Sequence, residues 1–214
     1  MLGKAALLLV LTVGISYLLG CFNGALLISK YILHDDIRTH GSGNAGLTNF
    51  YRVFGGGLTA VVILCDALKA VFSVLIGGWL LGHVLGWGVL GEYIAGLSCM
   101  LGHMYPCMFQ FKGGKGVLSQ VAMILMIDWR MGLIWIGVFL LAVILTRMVS
   151  LGSLLGSVSF MIGTAVLYRD PLVIFFGIVI GGLVIWRHRS NVVRIVKGEE
   201  SKFSFHKKGD KKEG

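Results

Sequence analysis

The sequence predicts an all-α integral membrane protein of about seven transmembrane helices, and its composition and its pattern of apolar runs both lead to this class. Of 214 residues, 56% are hydrophobic and only 14% are charged, whereas soluble proteins carry about 25% charged residues. The apolar residues form runs, most of them of the length that a helix needs to cross a bilayer. Soluble and disordered classes are therefore excluded, and we expect one polytopic domain over residues 1–214.

Short polar or charged segments separate the predicted spans. The seven spans cover residues 5–29, 57–77, 93–111, 116–127, 131–146, 148–167 and 172–186. The run 116–127 has only twelve residues, about 18 Å at helical rise, and is too short to cross alone. We therefore expect the Gly-Lys segment before it to lie below the membrane surface and to line a polar pocket.

The first span also has some features of a cleaved lipoprotein leader, because Lys4 precedes an apolar stretch that reaches Cys21. Apolar residues continue past Cys21, which favours a membrane span. In the second span Asp66 and Lys69 are three residues apart, so they share a helix face and can pair. The four cysteines lie in or beside apolar segments and predict no disulfide framework.

The basic residues predict the orientation in the membrane. The formal net charge is +9, and nine of the nineteen Lys and Arg lie in residues 187–214. Placing the 30–56 loop, residues 112–115, Arg147 and the C-terminus on one side gathers fifteen of the nineteen there. The positive-inside rule makes that side cytoplasmic, with the N-terminus outside. Residues 203–214 read as a basic disordered tail, and nucleic acid is not a predicted partner.

Three polar segments fall on the predicted cytoplasmic side, and the first is Gly41–Arg52. It contains G-x-G-x-x-G, but no βαβ unit surrounds it, so it does not predict a dinucleotide site. Its glycines let backbone N–H groups converge on an anion. The side-chain donors are Ser42, Asn44, Thr48, Asn49 and Arg52. A solvated turn with helix caps is the alternative interpretation.

The second segment, residues 102–117, carries Lys-Gly-Gly-Lys-Gly at the start of a helix. It is not a Walker loop, because Phe109 stands where the first glycine belongs and Gly116 follows the lysine. Lys112, Lys115, accessible backbone donors and the helix N-terminus predict a phosphate site. Cys99, His103 and Cys107 have i, i+4 spacing, but without carboxylates we expect packing and no metal.

The third segment, residues 187–200, follows the last span directly. His188 and Asn191 are three residues apart and share one face of a continuing helix. A polybasic tail on anionic lipid accounts for the distal lysines but not for this pair.

In the order GSGNAGLTNFYRVFG, GHMYPCMFQFKGGKGV and RHRSNVVRIVKGEE, the three segments resemble the cytoplasmic motifs of the bacterial acyl-phosphate:glycerol-3-phosphate acyltransferase family. The resemblance implies transfer of a fatty acyl group from acyl phosphate to the sn-1 hydroxyl of glycerol 3-phosphate, giving lysophosphatidic acid and inorganic phosphate. It places a multi-pass enzyme in the bacterial cytoplasmic membrane, with its active site on the cytoplasmic side. It implies no cofactor, and we predict no obligate protein partner.

The expected roles follow from that reaction. Ser42, Thr48, Asn49, Arg52 and Lys115 are expected to hold phosphate groups, while His188 and Asn191 orient glycerol 3-phosphate. Asn44 is a further substrate-binding candidate, as are Lys112 and His103. Ser42, Lys115 and His188 are the candidate catalytic residues. Either a substrate phosphate or His188 accepts the proton of the attacking hydroxyl.

A transporter or channel for a phosphorylated metabolite is the alternative from another class. It also places cations and glycines at a membrane site, and Asp66 and Lys69 fit it equally well. The polar segments gather on one face rather than at mid-membrane, which favours the acyltransferase. The His-x4-Asp signature of acyl-CoA-dependent enzymes and the Gly-x-Ser-x-Gly elbow are both absent from the sequence.

Overall fold

The fold is taken from a computed structural model, which describes residues 2–203. These residues form ten α-helices and no β-strand. The helices are α1 (Leu2–Cys21), α2 (Gly24–Tyr31), α3 (Leu47–Phe54), α4 (Thr59–Gly77), α5 (Gly88–Met104), α6 (Val117–Ile127), α7 (Trp129–Thr146), α8 (Val149–Leu167), α9 (Pro171–Arg187) and α10 (Arg189–Val196). The predicted basic tail lies outside the described residues apart from Phe203.

Each of the seven predicted spans overlaps with at least one helix, but not all of these helices are long. Within residues 2–203, four are long and apolar enough to cross a membrane: α1, α4 with its π-helical extension to His83, α7 and α8. Taken as one span, α9 and α10, which meet at a bend of 58°, make a fifth. Helix α5 has 17 residues and α6 has 11. The all-helical class is confirmed, and seven crossings stay a prediction.

The first predicted span, 5–29, is wrong as a single helix. It breaks at residues 22–23, where Asn23 caps α2 by accepting a hydrogen bond from the Leu26 N–H at 3.1 Å. Asp66 of α4 accepts from the Gly24 N–H at 3.1 Å. The break therefore depends on a partner 42 residues away in the chain, which the apolar pattern does not show.

Close helix contacts bring the ends of several helices together on one side of the protein. Helix α1 packs on α5, and a Cβ on Gly102 would lie only 2.1 Å from the backbone oxygen of Tyr17. Glycine is therefore required for the two backbones to approach this closely. Helices α7, α8 and α9 pack in chain order beside this pair, with α6 between α4 and α7. The loops after α2, α5 and α9 then surround one space.

Candidate active site

A cavity of about 410 Å³ lies where the three polar segments meet. Its lining combines polar side chains of the three segments with apolar side chains of α6 and α7. The polar lining includes Ser42, Asn44, Thr48, Asn49, Arg52, Asp66, His103, Lys115, Ser150, Ser153, His188, Asn191, Arg194 and Glu200. The structure thus brings together eight of the nine residues predicted to bind substrate.

Lys112 is the predicted residue that the structure leaves outside the cavity. Its side chain is exposed, and it is absent from the cavity lining. The cause is a tight turn: the Lys112 N–H donates to the Phe109 oxygen at 3.2 Å, and the Phe111 N–H donates to the Pro106 oxygen at 3.0 Å. This turn directs Lys112 to the surface, whereas Lys115 comes after the chain has turned inward.

Asn49 organises the first segment instead of offering free donors. Its Oδ1 accepts from the Ser42 N–H at 2.9 Å, and its Nδ2 donates to the backbone oxygens of His40 at 3.0 Å and Asn44 at 3.1 Å. With its side chain buried and both ends of the amide bonded, Asn49 supports the loop that carries Ser42 and Asn44. Both N–H groups of this amide are therefore used within the loop, and its role as a phosphate ligand stays a prediction.

Arg52 and Thr48 lie on α3, which begins directly after the glycine loop. Both line the cavity, and Arg52 is exposed at its surface side, where its Nη2 donates to the Ser201 Oγ at 3.2 Å. Ser42 also lines the cavity with an exposed side chain. These three side chains therefore present donors to the cavity without burying a charge.

The second segment holds Lys115 at the start of α6. Gly116 has a φ of +80°, a left-handed conformation that glycine adopts readily. Burial, with Arg194 adding repulsion, lowers the pKa of Lys115 to about 8, and its ammonium donates to the Asn191 Oδ1. The N-terminus of α6 faces the same cavity through Val117 and Leu118, and adds the positive end of a helix dipole.

The two glycines before Lys115 do not supply the predicted backbone donors. The Gly113 N–H donates to the Met104 oxygen and the Gly114 N–H to the His103 oxygen, both at 3.1 Å. Arg187 holds the other side of this turn, since its Nη2 donates to the Gly114 oxygen at 2.9 Å. Sequence reasoning assigned Arg187 no such role, because the contact joins residues 73 apart in the chain.

His188 lies at the turn between α9 and α10 and lines the cavity. Its Nδ1 is 2.8 Å from the Val184 oxygen. A carbonyl only accepts, so Nδ1 carries the proton and Nε2 is left as an acceptor. Burial, reinforced by the nearby Lys115, lowers the pKa of His188 to about 4. The imidazole is therefore neutral near pH 7.

Glu200 is a site residue that sequence reasoning missed. It is buried, and it accepts from the Ser150 Oγ at 2.7 Å, from the Asn191 Nδ2 at 2.8 Å and from the Arg194 Nε at 2.8 Å. Beyond it, the Phe203 N–H donates to the Arg147 oxygen at 2.7 Å. The segment after α10 is thus fastened to the α7–α8 turn and covers one side of the cavity.

The predicted Asp66–Lys69 pair is confirmed, and Asp66 also lines the cavity. The Lys69 Nζ donates to the Asp66 Oδ1 at 2.7 Å, and both side chains are buried. The same ammonium donates to the Gly20 oxygen at 3.1 Å and the Phe22 oxygen at 3.2 Å, which are at the break between α1 and α2. The pair therefore joins α4 to this break.

The expected face of Cys99, His103 and Cys107 does not form, because α5 ends at Met104. Cys107 lies in the turn beyond, with its Sγ 3.8 Å from the Cys21 Sγ. His103 instead points its Nδ1 at the Lys69 Nζ, 2.9 Å away. The Asp66 Oδ1 lies 3.5 Å from the same nitrogen, so His103 borders both members of the buried ion pair.

The fold and cavity together define a helical membrane protein with a cationic, phosphate-compatible site that continues into an apolar groove. The family model described as glycerol-3-phosphate acyltransferase matches residues 10–198. The chain therefore belongs to the glycerol-3-phosphate acyltransferase family and is an acyltransferase. This membership argues against the transporter alternative.

Individual relatives agree over nearly the whole chain. A glycerol-3-phosphate acyltransferase of Thermoanaerobacter sp. (strain X514) is 40% identical over 193 residues, which is 90% of this chain and 94% of the relative. The one of Staphylococcus saprophyticus subsp. saprophyticus is 37% identical over 204 residues, covering 93% of this chain and all of the relative.

Two solved structures are similar in fold. The crystal structure of PlsY (YgiH), an integral membrane glycerol 3-phosphate acyltransferase, in its glycerol 3-phosphate form has a TM-score of 0.83 and 34% identity, and the match covers 92% of this chain and 96% of that chain. Its lysophosphatidic acid form has a TM-score of 0.80, again at 34% identity, with 92% and 95% covered.

Proposed function

We propose that the protein transfers a fatty acyl group from an acyl phosphate to the sn-1 hydroxyl of glycerol 3-phosphate, forming 1-acyl-glycerol 3-phosphate (lysophosphatidic acid) and inorganic phosphate. One observation carries the proposal: a single cavity joins a cationic end to an apolar groove. A phosphorylated polar acceptor and an acyl donor with a long apolar chain require this combination. The similar structures in glycerol 3-phosphate and lysophosphatidic acid forms support the acceptor and the product.

The cationic end is suited to two phosphate groups. Lys115 and Arg52 supply charge, and Ser42 and Thr48 supply hydroxyl donors beside them. Charge-assisted hydrogen bonds to phosphate are about twice as strong as neutral ones. Asn191 is fixed between Lys115 and Glu200, so in our proposal it sets the position of the lysine.

The reaction depends more on the positioning of the two substrates than on a protein nucleophile. An acyl phosphate is a mixed anhydride with a good leaving group. The acceptor hydroxyl forms the new C–O bond to the carbonyl carbon, and the bond from that carbon to the phosphate oxygen breaks. The hydroxyl proton passes to a phosphate oxygen of a substrate, and the cations stabilise the oxyanion that develops. Neutral His188 can accept a hydrogen bond through its Nε2 and so helps to orient glycerol 3-phosphate, without taking the proton of the attacking hydroxyl.

The proposed setting is the cytoplasmic membrane, with seven spans, the N-terminus outside and the site on the cytoplasmic side. The excess of Lys and Arg in the loops beside the site supports this orientation. The acyl donor and the product are then membrane lipids, while glycerol 3-phosphate arrives from water. We propose that one polytopic chain carries the whole site without an obligate protein partner.

A direct assay tests the reaction. Purified protein in detergent, with a long-chain acyl phosphate and glycerol 3-phosphate, should release inorganic phosphate and form the lysophospholipid in equal amounts. Omitting glycerol 3-phosphate is the control for simple hydrolysis of the donor. Activity with acyl-CoA in place of acyl phosphate, or no activity with either donor, overturns the proposed donor.

A further inference from the structure

The apolar part of the cavity is a groove between three helices. It begins beside Lys115, at Val117, and runs along α6 to Leu125. Trp135, Phe139 and Leu140 of α7 form the opposite wall, and α8 contributes Ser150 and Ser153 near the polar end. The groove therefore leads away from the cationic end, in the direction that the chain of a bound acyl phosphate would take.

Trp135 lies at the end of this groove that is away from Lys115. Of the lining residues, Trp135 on α7 and Leu125 on α6 are the two nearest to the turn that joins these helices, which is the far end of α6 from Lys115. Only 3% of Trp135 is exposed, and its ring stacks on Phe139 with centroids 5.3 Å apart. The indole is thus a buried, supported surface across the groove.

The indole is held in position by a glycine of α8. A Cβ on Gly156 would lie 2.6 Å from the Trp135 Cε2, so the ring occupies the space that any larger residue would fill. The buried Nε1 of Trp135 has no hydrogen-bond partner among the described residues. Packing, rather than a polar contact, therefore sets the place of the ring.

The length of the groove can be put in terms of an acyl chain. Eight residues of α6 separate Val117 from Leu125, which is about 12 Å at helical rise. An extended chain advances about 1.25 Å for each C–C bond of 1.52 Å. This stretch therefore holds about ten carbons of the chain, in addition to those that connect it to the reacting carbonyl above Val117.

We propose that Trp135 sets the upper limit of acyl-chain length by closing the far end of the groove. The inference rests on the proposed function, because the occupant is the chain of the acyl phosphate. A chain that reaches the indole has no further room unless the ring moves, and Gly156 and Phe139 prevent that movement. In a hydrophobic pocket one excess methylene changes kcat/KM by about tenfold or more.

The test is the profile of kcat/KM for a series of saturated acyl phosphates of increasing length, measured by release of inorganic phosphate. Trp135→Ala should move the length limit upward by roughly two to four carbons, the number of C–C steps in the 3 to 5 Å of groove that an indole fills. Trp135→Phe, which keeps a ring and lacks the N–H, should stay close to the original limit. Gly156→Ala pushes the ring into the groove and should lower it.

Gly137→Ala is the matched control on α7, because a Cβ there meets nothing within 4 Å. Its profile should equal that of the unmodified protein. Activity with the shortest acyl phosphates shows that each variant is folded. If Trp135→Ala loses that activity, Trp135→Leu takes its place in the test.

Two outcomes overturn the proposal while leaving the proposed function standing: an unchanged limit in Trp135→Ala or its leucine replacement, or an equal shift in Trp135→Phe. The first means that the chain leaves the groove sideways, and the second that the N–H rather than the bulk matters. If no acyl phosphate of any length is turned over by the unmodified protein, the proposed donor itself fails.

Discussion

The Nζ of Lys69 lies 2.9 Å from the Nδ1 of His103, deep beneath the turn that carries Lys115. An ammonium group only donates, so Nδ1 accepts and the proton of the neutral ring is on Nε2. Gly114 lies over that nitrogen, since a Cβ on Gly114 would be 2.2 Å from it. A buried ion pair on α4 thus fixes the tautomer of a histidine that lines the cavity.

Loss of this lysine should destabilise the protein. Lys69→Met leaves Asp66 buried without its cation, and breaking a buried pair from one side costs about 3–5 kcal/mol. We expect a clearly lower melting temperature in detergent than for the unmodified protein. Lys112→Met is the matched control, because Lys112 is exposed and outside the cavity. A normal melting temperature for Lys69→Met would contradict the importance of the pair.

Replacement of Lys115 should remove most of the activity. Lys115→Ala deletes a cation in the cavity, and the loss of one preorganised electrostatic group typically lowers the rate by roughly 10² to 10³. The measurement is kcat/KM for glycerol 3-phosphate, with circular dichroism to confirm the fold. Arg52→Ala should give a loss in the same direction. Near-normal turnover in either variant refutes the phosphate-binding assignment.

The pKa of Lys115 predicts the basic limb of the pH profile. Because the pKa is lowered to about 8, the free enzyme loses the ammonium charge as the pH rises through that value. We expect kcat/KM to fall above pH about 8, while kcat falls only at higher pH, since a bound anion favours the charged lysine. Lys115→Arg should keep its charge and show no such limb. An unchanged limb in that variant assigns the titration to another group.

His188→Gln separates the two candidates for the proton acceptor. A glutamine can accept a hydrogen bond but cannot act as a base, and removing a general base typically costs 10² to 10⁴ in rate. With a substrate phosphate as acceptor, we expect a loss smaller than about 10² and an unchanged profile from pH 5 to 7, since the pKa of His188 is about 4. A larger loss in kcat at constant KM favours His188 as the base.

We expect Glu200 to affect substrate binding and stability indirectly, through the residues that donate hydrogen bonds to it. Glu200→Ala removes the acceptor of three hydrogen bonds, which leaves Asn191 free to move away from Lys115. We expect a higher KM for glycerol 3-phosphate and a lower melting temperature. Glu199→Gln is the control, because its side chain is exposed. A Glu200→Ala variant that binds and melts like the control would show that Asn191 is fixed by other contacts.

Patterns along the chain predicted the helices and most of the cavity, because apolar runs and polar segments are local properties. They did not predict the break at Asn23, which depends on Asp66 of α4. They also placed Lys112 in the site, whereas the structure places it outside the cavity. The turn that directs its side chain to the surface depends on backbone hydrogen bonds, which the pattern of residues does not show. Glu200 and Arg187 were missed as supports for the same reason: each acts on residues that only the tertiary fold brings near.

The backbone hydrogen bond from Phe203 to Arg147 has a practical consequence for protein engineering. An affinity tag or a fluorescent protein appended after residue 203 leaves that hydrogen bond intact. A truncation before Glu200 removes the acceptor that secures Asn191, and with it one wall of the cavity. Shortened versions made for crystallisation should therefore end after residue 203.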